Sequence, residues 1–241
     1  MRRVGVVAAL FLVPVLGGCS SMGRAYDAMM EPEHREPPEM TEAAKPIDAS
    51  STRKLYLNAV QGLIDQGRYK AALAYLDQYA VSEKGDAQYL SLRGEALLGT
   101  RQYDAAVDTF TELAGTGRAA EGYAGLGRVA AARGKWDEAA EHFGNAVGAR
   151  PASAEYLNNL GYARLHLGPE ALGQAEFNLR QAYELSPAST SIRNNLVLVL
   201  MMRGEKAEAQ RLIDSIATRK ERLAVRDFAR SWVKDRGKAV N

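Results

Sequence analysis

The chain predicts an all-α solenoid of about five antiparallel helix pairs, closed by a C-terminal capping helix and preceded by a secretory leader and a disordered tether. Three observations carry this. Alanines recur at a spacing near 34 residues from Ala72 to Ala209, a small or polar residue followed closely by an aromatic marks successive turns, and the single Cys ends an apolar N-terminal run. A fixed period of 20–50 residues is the mark of a stacked-repeat architecture.

Residues 1–18 read as a signal peptide. Met1-Arg2-Arg3 is basic, Val4 to Leu16 is apolar, and Leu16-Gly17-Gly18-Cys19 follows with small residues. That order of basic, apolar and small is a secretory signal, and the apolar run falls short of the roughly 18 residues a spanning helix needs. With one Cys there is no intramolecular disulfide. Leu-Gly-Gly-Cys resembles the lipobox of bacterial lipoproteins. The resemblance implies cleavage between Gly18 and Cys19, a diacylglycerol on the Cys19 thiol and an N-acyl chain on the new amino terminus. Two or more chains anchor stably where one binds only marginally. Ser20, where an Asp would signal retention, implies sorting to the outer membrane of a Gram-negative cell, on its periplasmic face. The competing reading is an ordinary signal followed by an incidental thiol.

Residues 19–52 form the lipidated tether. Ser20 to Ser51 holds Pro32, Pro37, Pro38 and Pro46, with seven acidic residues against three basic and no apolar period, the composition of a segment that stays unfolded. Thirty-two residues reach at most roughly 110 Å and average about 30 Å as a flexible coil.

Residues 53–217 carry the repeats, with expected bounds of 53–86, 87–119, 120–153, 154–189 and 190–217. Gly67-Arg68-Tyr69, Arg101-Gln102-Tyr103 and Gly134-Lys135-Trp136 mark three turns, and Ala72, Ala106, Ala139, Ala175 and Ala209 lie 34, 33, 36 and 34 residues apart. Gly94, Gly127 and Gly161 supply a small residue on the first helix of a pair, with Val60 and Val197 in that place in repeats one and five. Leu76, Phe110, Phe143, Leu179 and Ile213 sit one turn beyond the alanines on the same face. Pro151 and Pro187 stop the third and fourth repeats, while Pro169-Glu170 insert two residues in the fourth turn. These positions resemble the tetratricopeptide repeat (TPR), two antiparallel helices per unit.

Residues 218–241 hold eight basic and three acidic residues, with Val225, Phe228 and Trp232 at helical spacing. The apolar stripe predicts a helix that covers the open end of the stack, as solenoids require; a basic patch for anionic lipid or an acidic partner is the alternative.

No catalytic chemistry is legible. His34, His142 and His166 stand in no metal-ligand spacing with one another or with Cys19, and neither a nucleophile elbow nor a phosphate-binding glycine loop is present. Asp137-Glu138 open a helix, where the macrodipole favours acidic residues. No metal, no resident cofactor beyond the acyl groups and no small-molecule substrate is expected. Arg2 and Arg3 fall in the leader, so 31 basic and 29 acidic residues become equal numbers in the mature chain, without a global field for nucleic acid.

Binding is what remains. First helices of a repeat stack line a concave face that accepts a peptide or helix. By phase, Arg128 of repeat three, Asn158, Asn159 and Tyr162 of repeat four, and Asn194, Asn195, Leu198 and Met201 of repeat five face that groove. An amide side chain both donates and accepts, which suits an extended backbone; the alternative is that these asparagines only cap helices. Leader, lipidated Cys19, tether and repeats with Asn158-Asn159-Leu160-Gly161 together resemble the TadD-type lipoproteins of Flp (Tad) pilus assembly, and in plan the pilotins that help a secretin ring assemble. The resemblance implies envelope partners such as a secretin or pilus assembly components. An adaptor that docks peptidoglycan hydrolases is a rival within the binding class. An envelope enzyme using its repeats to recruit substrate is a rival from another class, weakened by the absence of sequence for a further domain.

Overall fold

A computed structural model describes residues 49–82 and 86–237. Gly18, Cys19, the leader and nearly all of the tether lie outside the described residues. Eleven α-helices and no strand are found among those that are described. They pair as α1 (Ala49–Asp65) with α2 (Tyr69–Ser82), α3 (Ala87–Gly99) with α4 (Tyr103–Ala114), and α5 (Ala119–Ala132) with α6 (Trp136–Ala149). The fourth pair is α7 (Ala154–Leu165) with α8 (Leu172–Leu185), and the fifth is α9 (Thr190–Met202) with α10 (Lys206–Asp214). The last helix, α11, spans Arg219–Gly237. Helix α1 begins at Ala49, inside the segment expected to be irregular. Its buried stripe starts only at Leu57, so the first two turns carry no apolar period to betray them.

Local chemistry starts and stops these helices. Asp86 Oδ1 accepts from the Gln88 and Tyr89 amides at 3.0 and 2.9 Å, and Ser153 and Ser189 cap α7 and α9 through the Tyr156 and Ile192 amides. Each satisfies an orphan donor of a first turn. Within four repeats the turn between the paired helices is the same left-handed stop. The residue at the turn has positive φ, and the next amide reaches back five residues: Arg68 to Leu63, Gln102 to Leu97, Lys135 to Ala130 and Glu205 to Leu200, at 2.8–2.9 Å. Glycine holds that position at Gly67, Gly134 and Gly204, but Arg101 holds it in repeat two with φ +62°. The fourth turn differs, because the inserted residues form a 3₁₀ turn over Pro169–Ala171 after Gly168.

The small residues are where two helices meet most closely. A Cβ placed on Gly94 would lie 2.4 Å from the Phe110 ring, one on Gly127 would lie 2.7 Å from the Phe143 ring, and one on Gly161 would lie 2.6 Å from Leu179. Ala72, Ala106, Ala139 and Ala175 are fully buried. Thus the glycine of each first helix receives the large residue one turn beyond the alanine of the second. In repeats one and five Val60 and Val197 are buried in the glycine's place. Among the described residues the backbones of α1 and α3, α3 and α5, and α7 and α9 approach each other closely, whereas those of successive second helices stand further apart. The first helices therefore form the inner layer.

Two large clusters hold the stack. One gathers Leu57, Leu76, Leu90, Leu97, Phe110 and their neighbours from α1 to α5; the other gathers Leu165, Leu179, Leu196 to Leu200 and Ile213 from α7 to α10 with Ala229 of α11. Between them lies a seam dominated by Ala120, Ala124, Ala130, Ala139, Ala146 and Ala163.

Candidate partner-binding groove

The inner layer runs from a polar floor in repeats two and three to an aromatic and amide-lined floor in repeats four and five. In the first part Arg128 of α5 grips Glu95 of α3 with both guanidinium arms, one of them at 2.8 Å. Its guanidinium also lies 5.7 Å from the Phe110 ring centre, so the pair is braced from below. Arg128 lines the floor, but Glu95 already occupies its fork.

In repeats four and five the asparagines form one cross-repeat ladder. Asn195 Nδ2 donates to Asn158 Oδ1 at 2.9 Å, and Asn158 Nδ2 donates to Asn159 Oδ1 at 3.3 Å. Asn158 is buried, while Asn159, Asn194 and Asn195 are half-buried. Among the described residues the Asn159 donor and the Asn195 acceptor make no further hydrogen bond, so the ladder keeps one donor and one acceptor for a ligand backbone. Asn194 is outside it, its Oδ1 buried and without a hydrogen bond among the described residues. Asn158 serves the ladder from below and offers a ligand little surface.

Tyr162, Leu198 and Met201 behave differently from the sequence expectation. Leu198 is only 2 % exposed and does not line an open groove. The reason is α11, which packs chiefly against α9 and less against α10. Val225, Ala229 and Trp232, at positions i, i+4 and i+7 of α11, join the cluster of Leu198, Met201 and Tyr162. The Trp232 ring lies 6.1 Å from Tyr162 and 5.3 Å from His166, and Trp136 of α6 stacks on His166 at 3.5 Å and 20°. The expected stripe of α11 therefore needs a correction. Ala229, not Phe228, completes it, and Phe228 is 56 % exposed with its ring 5.9 Å from Trp232. Helix α11 does more than cover the stack's end, since it reaches back over the inner layer to α7 of the preceding repeat.

The box formed by Trp136, Tyr162, His166 and Trp232 was not legible in the sequence, because its members come from α6, α7 with its C-cap, and α11. Only the phase of Tyr162 pointed there. Outside the groove, the second helices of repeats four and five are stitched by ion pairs. Arg180 bonds Glu208 with two arms at 2.7 and 2.8 Å and Glu176 at 2.6 Å, while Glu176 also meets Arg203 at 2.7 Å. The Arg180 guanidinium holds the Glu208 carboxyl below the usual carboxylate range. Among the described residues no cluster of His, Cys, Asp and Glu is placed to hold a metal ion, and no helix is long and apolar enough to cross a membrane.

Comparison with known proteins agrees with this geometry. The model of the tetratricopeptide repeat matches residues 57–124 and 125–175. The TPR repeat-containing protein PA4299 of Pseudomonas aeruginosa is 29 % identical over 237 residues, covering 95 % of this chain and 84 % of its own length. Among solved structures, TTC0263, a TPR protein of Thermus thermophilus, superposes with a TM-score of 0.60 at 22 % identity, covering 74 % of this chain and 97 % of that one. MamA of Desulfovibrio magneticus gives 0.54 at 24 % identity, over 74 % and 95 %. YrrB, described as a TPR protein with an unusual peptide-binding site, gives 0.50 at 18 % identity, over 70 % and 84 %. Repeat phase, helix pairing and relatives converge: residues 57–175 are tetratricopeptide repeats within an all-helical TPR solenoid, and proteins built of such repeats are in general protein-binding scaffolds.

Proposed function

We propose that this protein is a lipid-anchored periplasmic scaffold, held in the outer membrane through acyl chains on Cys19, that binds an envelope protein in its concave groove and assists assembly of a pilus or secretion apparatus of the Flp (Tad) type. The groove reading rests on the amide ladder of Asn158, Asn159 and Asn195, which leaves a donor and an acceptor directed at neither helix end. Neither Asn159 nor Asn195 is at an N-cap, the place taken in these helices by Ser153 and Ser189. The anchor reading rests on the single Cys at the end of the leader, and YrrB is a relative in fold described as binding peptide. A scaffold held at a membrane gains local concentration there without any new contact.

The test is co-purification from cells with the intact lipoprotein and with its Cys19→Ser variant. The secretin or a pilus assembly component should accompany the parent from the outer-membrane fraction, and the variant should lose fatty-acid label and leave that fraction. Recovery of cell-wall hydrolases in place of pilus components would move the reading to the adaptor.

A further inference from the structure

We propose that α11 is a displaceable occupant of the groove over repeats four and five, and that the partner which replaces it presents an amphipathic helix of the same chemistry, an apolar i, i+4, i+7 stripe ending in an indole. This rests on the groove being the partner-binding face, as proposed above.

The seat is built for such a helix. Its far end is the box of Trp136, Tyr162 and His166 that receives the Trp232 ring, and its middle is Leu198 and Met201 of α9. The side chains that fill it are Val225, Ala229 and Trp232, a spacing of one face over two turns. Occupancy is what hides Leu198, a residue whose phase belongs to the inner layer.

The occupant is weakly held by comparison with the stack. Of the described side chains of α11 only Ala229 is buried, whereas α9 buries six of its 13 residues. Phe228 and Leu223 remain 56 % and 37 % exposed. Ile216, in the linker before α11, is 2 % exposed, and Arg222 Nη1 donates to the Ile216 and Ala217 carbonyls at 2.6 and 3.1 Å. These contacts fix the start of α11 to its own linker, and ring contacts with Tyr162 and His166 are among those that hold Trp232 near its far end. A helix that buries so few side chains is drawn from the low-stability end of a structure. A competing helix of the same stripe needs only to win that local exchange, and the conformational cost it meets lowers its apparent affinity by the fraction of open groove.

The test uses a synthetic peptide of residues 219–237 as the competing helix and the purified full chain as receptor. Trp232→Ala in the full chain should free the seat, so the peptide should bind this variant at least tenfold more tightly than the parent. A control peptide carrying the same Trp232→Ala change should bind neither. Equal affinity for parent and variant, or no binding to the variant, overturns the proposal. Hydrogen exchange on the unmodified parent decides independently if the variant folds poorly. Amides of α11 beyond its first turn should exchange at least tenfold faster than those of residues 196–200, and equal protection would make α11 an integral layer and overturn the proposal. Both readings concern the groove and its own helix. Failure to recover pilus components from cells would instead sink the assembly role and leave this exchange standing.

Discussion

Asn195 of α9 and Asn158 of α7 are joined side chain to side chain at 2.9 Å, across two successive repeats. The bond makes Asn195 a structural residue and a groove residue at once. Replacing Asn195 with Ala leaves the buried Asn158 acceptor without its partner, at a cost of about 1–3 kcal/mol. Asn159→Ala leaves the buried Asn158 Nδ2 donor unpaired but removes a longer bond of 3.3 Å, and should cost about 1 kcal/mol, the low end of that range. Thermal melting should therefore fall further for Asn195→Ala than for Asn159→Ala, while partner co-purification should fall for both. An unchanged melt for Asn195→Ala would mean that the ladder carries no stability.

Close approach and open space give glycine substitutions opposite signs. Gly94→Ala drives a methyl into the Phe110 ring, and Ala139→Leu overfills a site with no exposure; overpacking of this kind costs about 1–3 kcal/mol. Gly144, inside α6, has no neighbouring atom within 4 Å of a built Cβ. Gly144→Ala should thus stabilise by about 0.5–1 kcal/mol. Circular dichroism melts of the three variants check the pattern, and a destabilised Gly144→Ala would refute it.

The turn of repeat two carries a correctable strain. Arg101 is exposed and holds φ +62° where three other repeats have glycine, a backbone region that costs a Cβ-bearing residue about 1–2 kcal/mol. Arg101→Gly should raise stability by up to about 1 kcal/mol, the gain being trimmed by the freer unfolded chain. Gly134→Ala should lower it by about 1 kcal/mol. Denaturant midpoints at constant slope measure both.

Acid should loosen the last two repeats through Glu208. Its carboxyl is held low chiefly by the hydrogen bonds from Arg180. A carboxyl with a depressed folded pKa stabilises above its unfolded pKa and loses that stability as pH falls through the folded value. The parent's melting temperature should therefore fall as pH drops through and below the carboxylate range, and Glu208→Gln should flatten part of that fall. Because both partners are more than a third exposed at their side chains, screening keeps the effect small, and added salt should shrink it further. An identical pH profile for parent and variant would exclude the contribution.

The repeat period and the phase of Gly94, Ala106 and Phe110 were legible in the sequence because they are local rules repeated at fixed spacing, whereas it took the structure to show that Phe110 is what meets Gly94. The Asn158–Asn195 ladder was half legible, since phase placed both residues on the inner layer but not in each other's reach. The burial of Leu198 was not legible, because it depends on where a helix some 30 residues later folds back, as Ala229 and Trp232 do. Phe228 misled for a related reason: helical spacing alone does not decide which edge of an apolar arc meets the stack. The early start of α1 was hidden because its first turns bury nothing that a pattern would reveal.

The alanine seam between the two large clusters has a mechanical consequence. An alanine side chain withdraws little area from water, and each methylene it lacks is worth about 0.8 kcal/mol of burial. Neighbour contacts set the strength of a repeat array link by link, and where Ala124, Ala130, Ala146 and Ala163 contribute little area the joint depends on Phe143, Leu160 and Tyr156. A load drawn between the two ends of the folded region passes through every joint in series. At this joint that load falls on Phe143, Leu160 and Tyr156, so truncating those three side chains should make it the first to part.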